Sequence, residues 1–183
     1  MILAIDTSGG QCALAVLGSG RKATRIEVMD RGHAEALFPM IDAVLEECGA
    51  SHSDLTKIAV CTGPGSFTGL RAGIAAARGL ALGRGVPAVG ITRFEALAAA
   101  MDAPCSVRLK ARGETAFVQD FDAMGQASGN PRIESGEAED ALPDPLQIAR
   151  LAVDREPLDR PAPLYMRDAD AALPAQGPPP LLD

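Results

Sequence analysis

The chain has 183 residues, with 47% apolar and 22% charged side chains and a formal net charge of −7. That much apolar side chain excludes wholesale disorder, and an aromatic content of 3% with no Trp excludes a surface built to stack single-stranded bases. The acidic excess lies in residues 101–183, with eight basic and fifteen acidic side chains against nine of each in residues 1–100, so no broad positive face for nucleic acid is expected.

No run reaches the roughly 20 apolar residues that span a bilayer, so no membrane partner is expected. The chain opens on Met1-Ile2-Leu3-Ala4-Ile5-Asp6 with no basic leader, and the cytoplasm is the expected compartment. Cys12, Cys48, Cys61 and Cys105 form no C-x-x-C pair and are expected as reduced thiols.

Residues 2–5 form a short apolar run ending at Asp6, the pattern of a buried strand. Residues 11–17 continue as a second strand, and residues 23–29 alternate as a half-exposed third. From Ala34 to Cys48 the period becomes helical, with Ala34, Leu37, Phe38, Ile41, Val44, Leu45 and Cys48 on one stripe and Gly49 as the stop. Pro39 inside this pattern predicts a kink or a late helix start. Residues 57–61 form a strand that runs into Thr62-Gly63-Pro64-Gly65-Ser66 and a second helix to about Leu82. Residues 86–91 form another strand. Thr92 and Glu95 make a capping box for a third helix through Ala100. The order β-β-β-α-β-α-β-α predicts an α/β fold, the ribonuclease-H-like lobe of actin-type ATPases, over residues 1–101. Composition changes there: fourteen of 19 glycines precede residue 101 and eleven of 14 prolines follow it. Residues 102–172 are expected as a shortened second lobe, with strands at 105–109 and 115–121 and one helix between Pro143 and Arg155. Residues 173–183, with Pro178-Pro179-Pro180, are expected as a frayed tail.

Asp6-Thr7-Ser8 is the first candidate for chemistry. A carboxylate beside hydroxyls and Gly9-Gly10 suits a phosphate and magnesium loop of an actin-like ATPase, a metal-binding Asp of a nuclease, or the cap of a tight turn. Gly63 to Gly69 lies at a strand-to-helix junction, where amides favour an anion. It lacks the Lys-Ser or Lys-Thr of a phosphate loop, and Ser66 serves equally as an N-cap. The helix after it is bald: Gly69, Gly73, Ala76, Ala77, Gly79 and Gly83. Each glycine costs about 1 kcal/mol of helix propensity, which implies close packing, either within the fold or against a partner helix. His33 has Leu37 one turn on where a second ligand would stand, so no metal is expected. No nucleophile–base arrangement is evident, and no catalytic residue is expected.

Ile2 to Ser8, His33-Ala34-Glu35 with Leu37 to Ile41, Asp54-Leu55 with Ile58-Ala59-Val60, and above all Gly63-Pro64-Gly65-Ser66-Phe67-Thr68-Gly69-Leu70-Arg71 resemble the TsaB (YeaZ) family of tRNA threonylcarbamoyladenosine biosynthesis. Ala111-Arg112-Gly113-Glu114 and Pro163-Leu164-Tyr165-Met166-Arg167 are weaker islands of the same likeness. The resemblance implies a non-catalytic dimerisation subunit that supports its paralogue TsaD. It docks through the first two helices and helps recruit the ATPase TsaE, and tRNA is met only through the complex. On that basis Ala34, Leu37, Phe38, Ile41, Leu45, Gly69, Gly73, Ala76 and Ala77 are the expected docking face. A homodimer through this face is expected when the partner is absent. Asp6, Thr7 and Ser8 are left as a vestigial nucleotide loop, with no cofactor beyond weak ATP or ADP binding at the complex. A bulky residue at Gly73 is expected to abolish the complex and spare the monomer. The alternative is an actin-like nucleotide-dependent enzyme, a small kinase or phosphatase, working from Asp6-Thr7-Ser8.

Overall fold

The computed structural model describes residues 1–157 and 160–166. Strand β1 (Ile2–Gly9) is buried along almost its whole length, because its apolar side chains alternate between two covered faces of one sheet. It pairs antiparallel with β2 (Gln11–Gly18) and parallel with β4 (Lys57–Cys61), in register Ile5 to Leu14 and Ile5 to Val60. With β3 (Arg21–Val28) and β5 (Ala88–Ile91) the sheet order is β3-β2-β1-β4-β5. One face carries Leu3, Ile5, Leu14, Val16, Ile58 and Val60 under helices α1 (His33–Glu47) and α2 (Phe67–Arg84). The other carries Ala4, Ala15, Ala59 and Cys61 under α3 (Arg93–Ala98) and α4 (Pro145–Leu151). No helix among the described residues is long and apolar enough to cross a membrane.

The local signals act as the residue types predict. Thr92 and Glu95 close their capping box on α3, and Ser66 caps α2 through the Gly69 amide. Gly49 takes the left-handed conformation just after α1. Of the two outcomes expected for Pro39, the late start is not found: the helix starts at His33 and runs through the proline.

A second, antiparallel sheet has the order β6-β7-β8, from Cys105–Lys110, Thr115–Phe121 and Ala127–Ser135. Strand β8 was not expected. It is an exposed edge strand containing Asn130-Pro131, and such a strand is defined by its partner β7 rather than by its own apolar content. Residues 145–152, assigned from sequence to the second lobe, pack instead on the first sheet, where Ile148, Ala149 and Ala152 are fully buried. Residues 173–183, expected as a tail, lie outside the described residues.

Lys57 fixes that return. Its Nζ donates to the carbonyls of Ala152, Val153 and Arg155 at 2.8, 2.9 and 3.0 Å, so one ammonium satisfies the orphan acceptors beyond α4. Lys57→Met is expected to cost about 1–3 kcal/mol, the range for charge-assisted bonds to partly buried carbonyls. A urea titration checks this; a loss within experimental error would show that water replaces the ammonium.

Candidate functional site

Asp6, Thr7 and Ser8 are at most 1% exposed. They end the central strand, and the chain around them takes up part of their hydrogen-bonding capacity. Thr7 Oγ1 donates to the Gly69 carbonyl at 2.7 Å, and the Ser8 amide donates to Asp6 Oδ1 at 2.8 Å. The Ser66 amide donates to the Ser8 carbonyl at 2.7 Å. A Cβ on Gly65 would stand 2.0 Å from that same carbonyl oxygen. The loop before α2 therefore rests directly on the β1 loop at the Ser8 carbonyl. Asp6 Oδ2 and Ser8 Oγ are buried without a hydrogen-bond partner among the described residues. Burial, and after it the Asp6 carboxylate, pushes the Cys61 thiol well above its ordinary value. Burial likewise pushes the Cys12 thiol up to about 11, with Asp6 and Glu27 adding to the shift. His33 begins α1 and its Nε2 lies 3.1 Å from the Gly9 carbonyl.

Beside this loop a polar cleft of about 400 Å³ opens between the sheets, lined in part by Ser8, His33, Arg93, Lys110 and Asp140. Arg93 is its buried cation. Its guanidinium donates to the Ala141 carbonyl at 2.6 and 2.9 Å, to Asp140 Oδ1 at 2.5 Å and to the Pro64 carbonyl at 3.4 Å. Sequence reasoning missed Arg93, because only the fold brings residues 140 and 141 to it.

The expected docking face divides in the structure. Leu37, Ile41, Leu45, Ala76 and Ala77 belong to the chain's own core. Gly69 and Gly73 face inward as well: a Cβ on Gly69 would lie 2.1 Å from the Thr7 carbonyl oxygen, and one on Gly73 2.3 Å from Thr7 Oγ1. These two glycines let α2 lie on β1, and the expectation that a bulky Gly73 spares the monomer is corrected on that ground. Ala34 and Phe38 are the exposed members of the set. The outward stripe of α2 is Phe67, Arg71, Ala75, Arg78, Gly79, Leu82 and Gly83, and Leu82 is 84% exposed.

Charge divides between the two helices. Over its 15 residues α1 carries the exposed acids Glu35, Asp42, Glu46 and Glu47 and no Lys or Arg. Over its 18 residues α2 carries the exposed Arg71, Arg78 and Arg84 and no acid. The pair is therefore an apolar surface with one acidic and one basic rail.

A family model described as TsaD, tRNA N6-adenosine threonylcarbamoyltransferase, matches residues 26–171. The chain is 39% identical over 97 residues to the tRNA threonylcarbamoyladenosine biosynthesis protein TsaB of Escherichia coli K12, a match covering 53% of this chain and 42% of that protein. It is 41% identical over 69 residues to a tRNA N6-adenosine threonylcarbamoyltransferase of Erythrobacter litoralis, covering 38% of this chain and 20% of that one. The chain thus spans less than half the length of the curated relatives it matches. The solved structure of YeaZ from Pseudomonas aeruginosa superposes with a TM-score of 0.74 at 25% identity, over 90% of this chain and 98% of that one. These likenesses carry the actin-like, ribonuclease-H-like architecture of the two sheets, and by the family model and the shared glycine-rich run the chain belongs to the TsaD family, on its TsaB (YeaZ) branch.

Proposed function

We propose that this chain is a non-catalytic docking subunit of the machinery that makes threonylcarbamoyladenosine in tRNA. It binds and supports a TsaD-like catalytic subunit. The observation that carries the proposal is the burial of the β1 loop residues. Where a nucleotide-using relative needs open amides and a free carboxylate, Asp6, Thr7 and Ser8 are buried and the loop before α2 sits on them. The same observation weighs against the kinase or phosphatase alternative. What the chain does present is the outer face of α1 and α2, whose acidic and basic rails are self-complementary under a two-fold rotation. That arrangement supports a heterodimer with a paralogue carrying the same pair of helices, and a homodimer when that paralogue is absent. The chain acts in the cytoplasm. It holds no resident cofactor, meets tRNA only through the complex, and assists a TsaE-like ATPase there, with ATP or ADP touching it weakly at the assembled complex.

The test is co-expression with the TsaD-like chain of the same genome, followed by size-exclusion chromatography with light scattering. A one-to-one complex is the expected result, and two chains that elute independently at micromolar concentration would remove the proposal. Reversing the α1 rail with Glu46→Lys and Asp42→Lys together is expected to weaken the complex and to steepen its loss with salt.

A further inference from the structure

Residues 160–166 form a strap beside α2. Helix α1 lies over β2 and β3, and α2 lies over β1 and β4. The strap takes the β5 side, where Pro161 Cβ would stand 3.6 Å from a Cβ on Gly90. It runs antiparallel to α2: Arg78 donates to the Pro161 carbonyl, the Leu164 amide donates to the Thr62 carbonyl at 2.8 Å, and Arg71 Nε donates to the Tyr165 hydroxyl at 3.0 Å. Tyr165 stacks on Phe67 with ring centroids 5.1 Å apart and an interplanar angle of 28°. The Arg71 guanidinium carbon sits 3.7 Å from the Phe67 ring centroid.

The chain has five Phe and one Tyr. Phe94 and Phe121 are core residues, whereas Phe38, Phe67 and Tyr165 are exposed. All three exposed rings belong to α1, α2 or the strap. Aromatic side chains and Arg dominate the energetics of interfaces, above all when their rotamers are fixed before binding. Here each of three side chains fixes the other two. The Tyr165 hydroxyl oxygen accepts the Arg71 Nε–H bond, and the terminal Nη pair remains as a donor fork that matches a carboxylate. A groove of about 680 Å³ continues the surface, lined in part by Arg78, Leu82, Arg160 and Pro161. The exposed face of α2 carries cations and no acid, so its complement is acidic.

We infer that Phe67, Arg71 and Tyr165 are the anchor of the partner interface, and that they receive an acidic, apolar helix of the catalytic subunit. This rests on the docking role proposed above. It adds the strap to the docking face of α1 and α2, and it gives the strap a function. A partner carboxylate pairs with Arg71 while an apolar residue covers the stacked rings.

The test is titration calorimetry of the full chain against the TsaD-like subunit of the same genome, with thermal melts of every variant. Tyr165→Ala and Arg71→Glu are each expected to weaken binding at least about tenfold, with melting temperatures close to wild type. Arg71→Lys keeps the charge and loses the planar fork, and is expected to lose most of the same affinity. Binding within about twofold of wild type for both Arg71 variants and Tyr165→Ala overturns the anchor and leaves the docking role standing. A wild-type chain that does not bind overturns both.

Discussion

Gly69→Ala lowers the melting temperature of the isolated chain, and Gly83→Ala, in the same helix, raises it. The opposite signs follow from where each added methyl would go. At Gly69 it meets the Thr7 backbone carbonyl oxygen at 2.1 Å, about 1 Å inside the ordinary C···O contact near 3.3 Å. That oxygen is backbone at the fully buried end of β1, so the helix must retreat. Retreat breaks the 2.7 Å bond from Thr7 Oγ1 to the Gly69 carbonyl and opens the core around Ile74 and Ala77. Overpacking of this kind costs about 1–3 kcal/mol, and an orphaned buried hydroxyl adds about 1 kcal/mol or more. The gain in helix propensity, about 1 kcal/mol, does not offset it. Gly83 has nothing within 4 Å of its added methyl, so it collects that propensity gain alone. Differential scanning calorimetry is expected to give a drop of roughly 5–10 °C for Gly69→Ala and a rise of about 1–4 °C for Gly83→Ala. A neutral Gly69→Ala would mean that α2 floats free of β1, and the inward assignment of the glycine stripe would fall with it.

That stripe shows where sequence is mute. Gly69, Gly73, Gly79 and Gly83 are indistinguishable as letters, since a glycine needed for close approach and one facing open space leave the same pattern. The first pair packs on Thr7 and the second faces outward, and only the placement of β1 under α2 separates them. Elements whose information is local were legible. The apolar runs at 2–5 and 57–61 became central strands, Ser66 and Thr92 with Glu95 began helices by side-chain capping, and Gly49 followed α1 in the left-handed conformation that glycine permits. Strand β8 was invisible because it brings no apolar periodicity of its own. The roles of Arg93 in the cleft and of Tyr165 on the strap were invisible for another reason. Arg93 acts on residues 140 and 141, and Tyr165 bonds Arg71 across 94 residues of sequence. The Pro163 to Arg167 island was seen as a family likeness; the physical role of Tyr165 within it appears only when the strap lies beside α2.

Arg93→Met is the second large effect expected. The guanidinium is 4% exposed, whereas its ionic partner Asp140 is 55% exposed, so the ion pair itself is worth little. The carbonyls carry the cost. Ala141 receives two N–H donors and Pro64 a third, and Met supplies none. Leaving those acceptors dry costs about 1–3 kcal/mol each when fully buried, and partial water access brings the expected total to about 3 kcal/mol. Asp140→Asn is expected to cost under about 1 kcal/mol, because an exposed carboxylate is easily replaced by water. Chemical denaturation of the two single variants and the double variant separates the contributions: the coupling should be small and the Arg93 loss should survive in the Asp140→Asn background. The consequence reaches beyond stability. Arg93 ties residues 140 and 141, which lead out of the second sheet, to the Gly63-Pro64-Gly65 loop that covers Ser8. Releasing it frees the two sheets to shift about the cleft and loosens the loop that begins α2. Hydrogen exchange of Arg93→Met is therefore expected to rise first at Ser66 to Leu70, the turn that carries Phe67, before it rises in β1 or β4. Uniform acceleration across the whole first sheet would instead make Arg93 an ordinary core support with no particular hold on that turn.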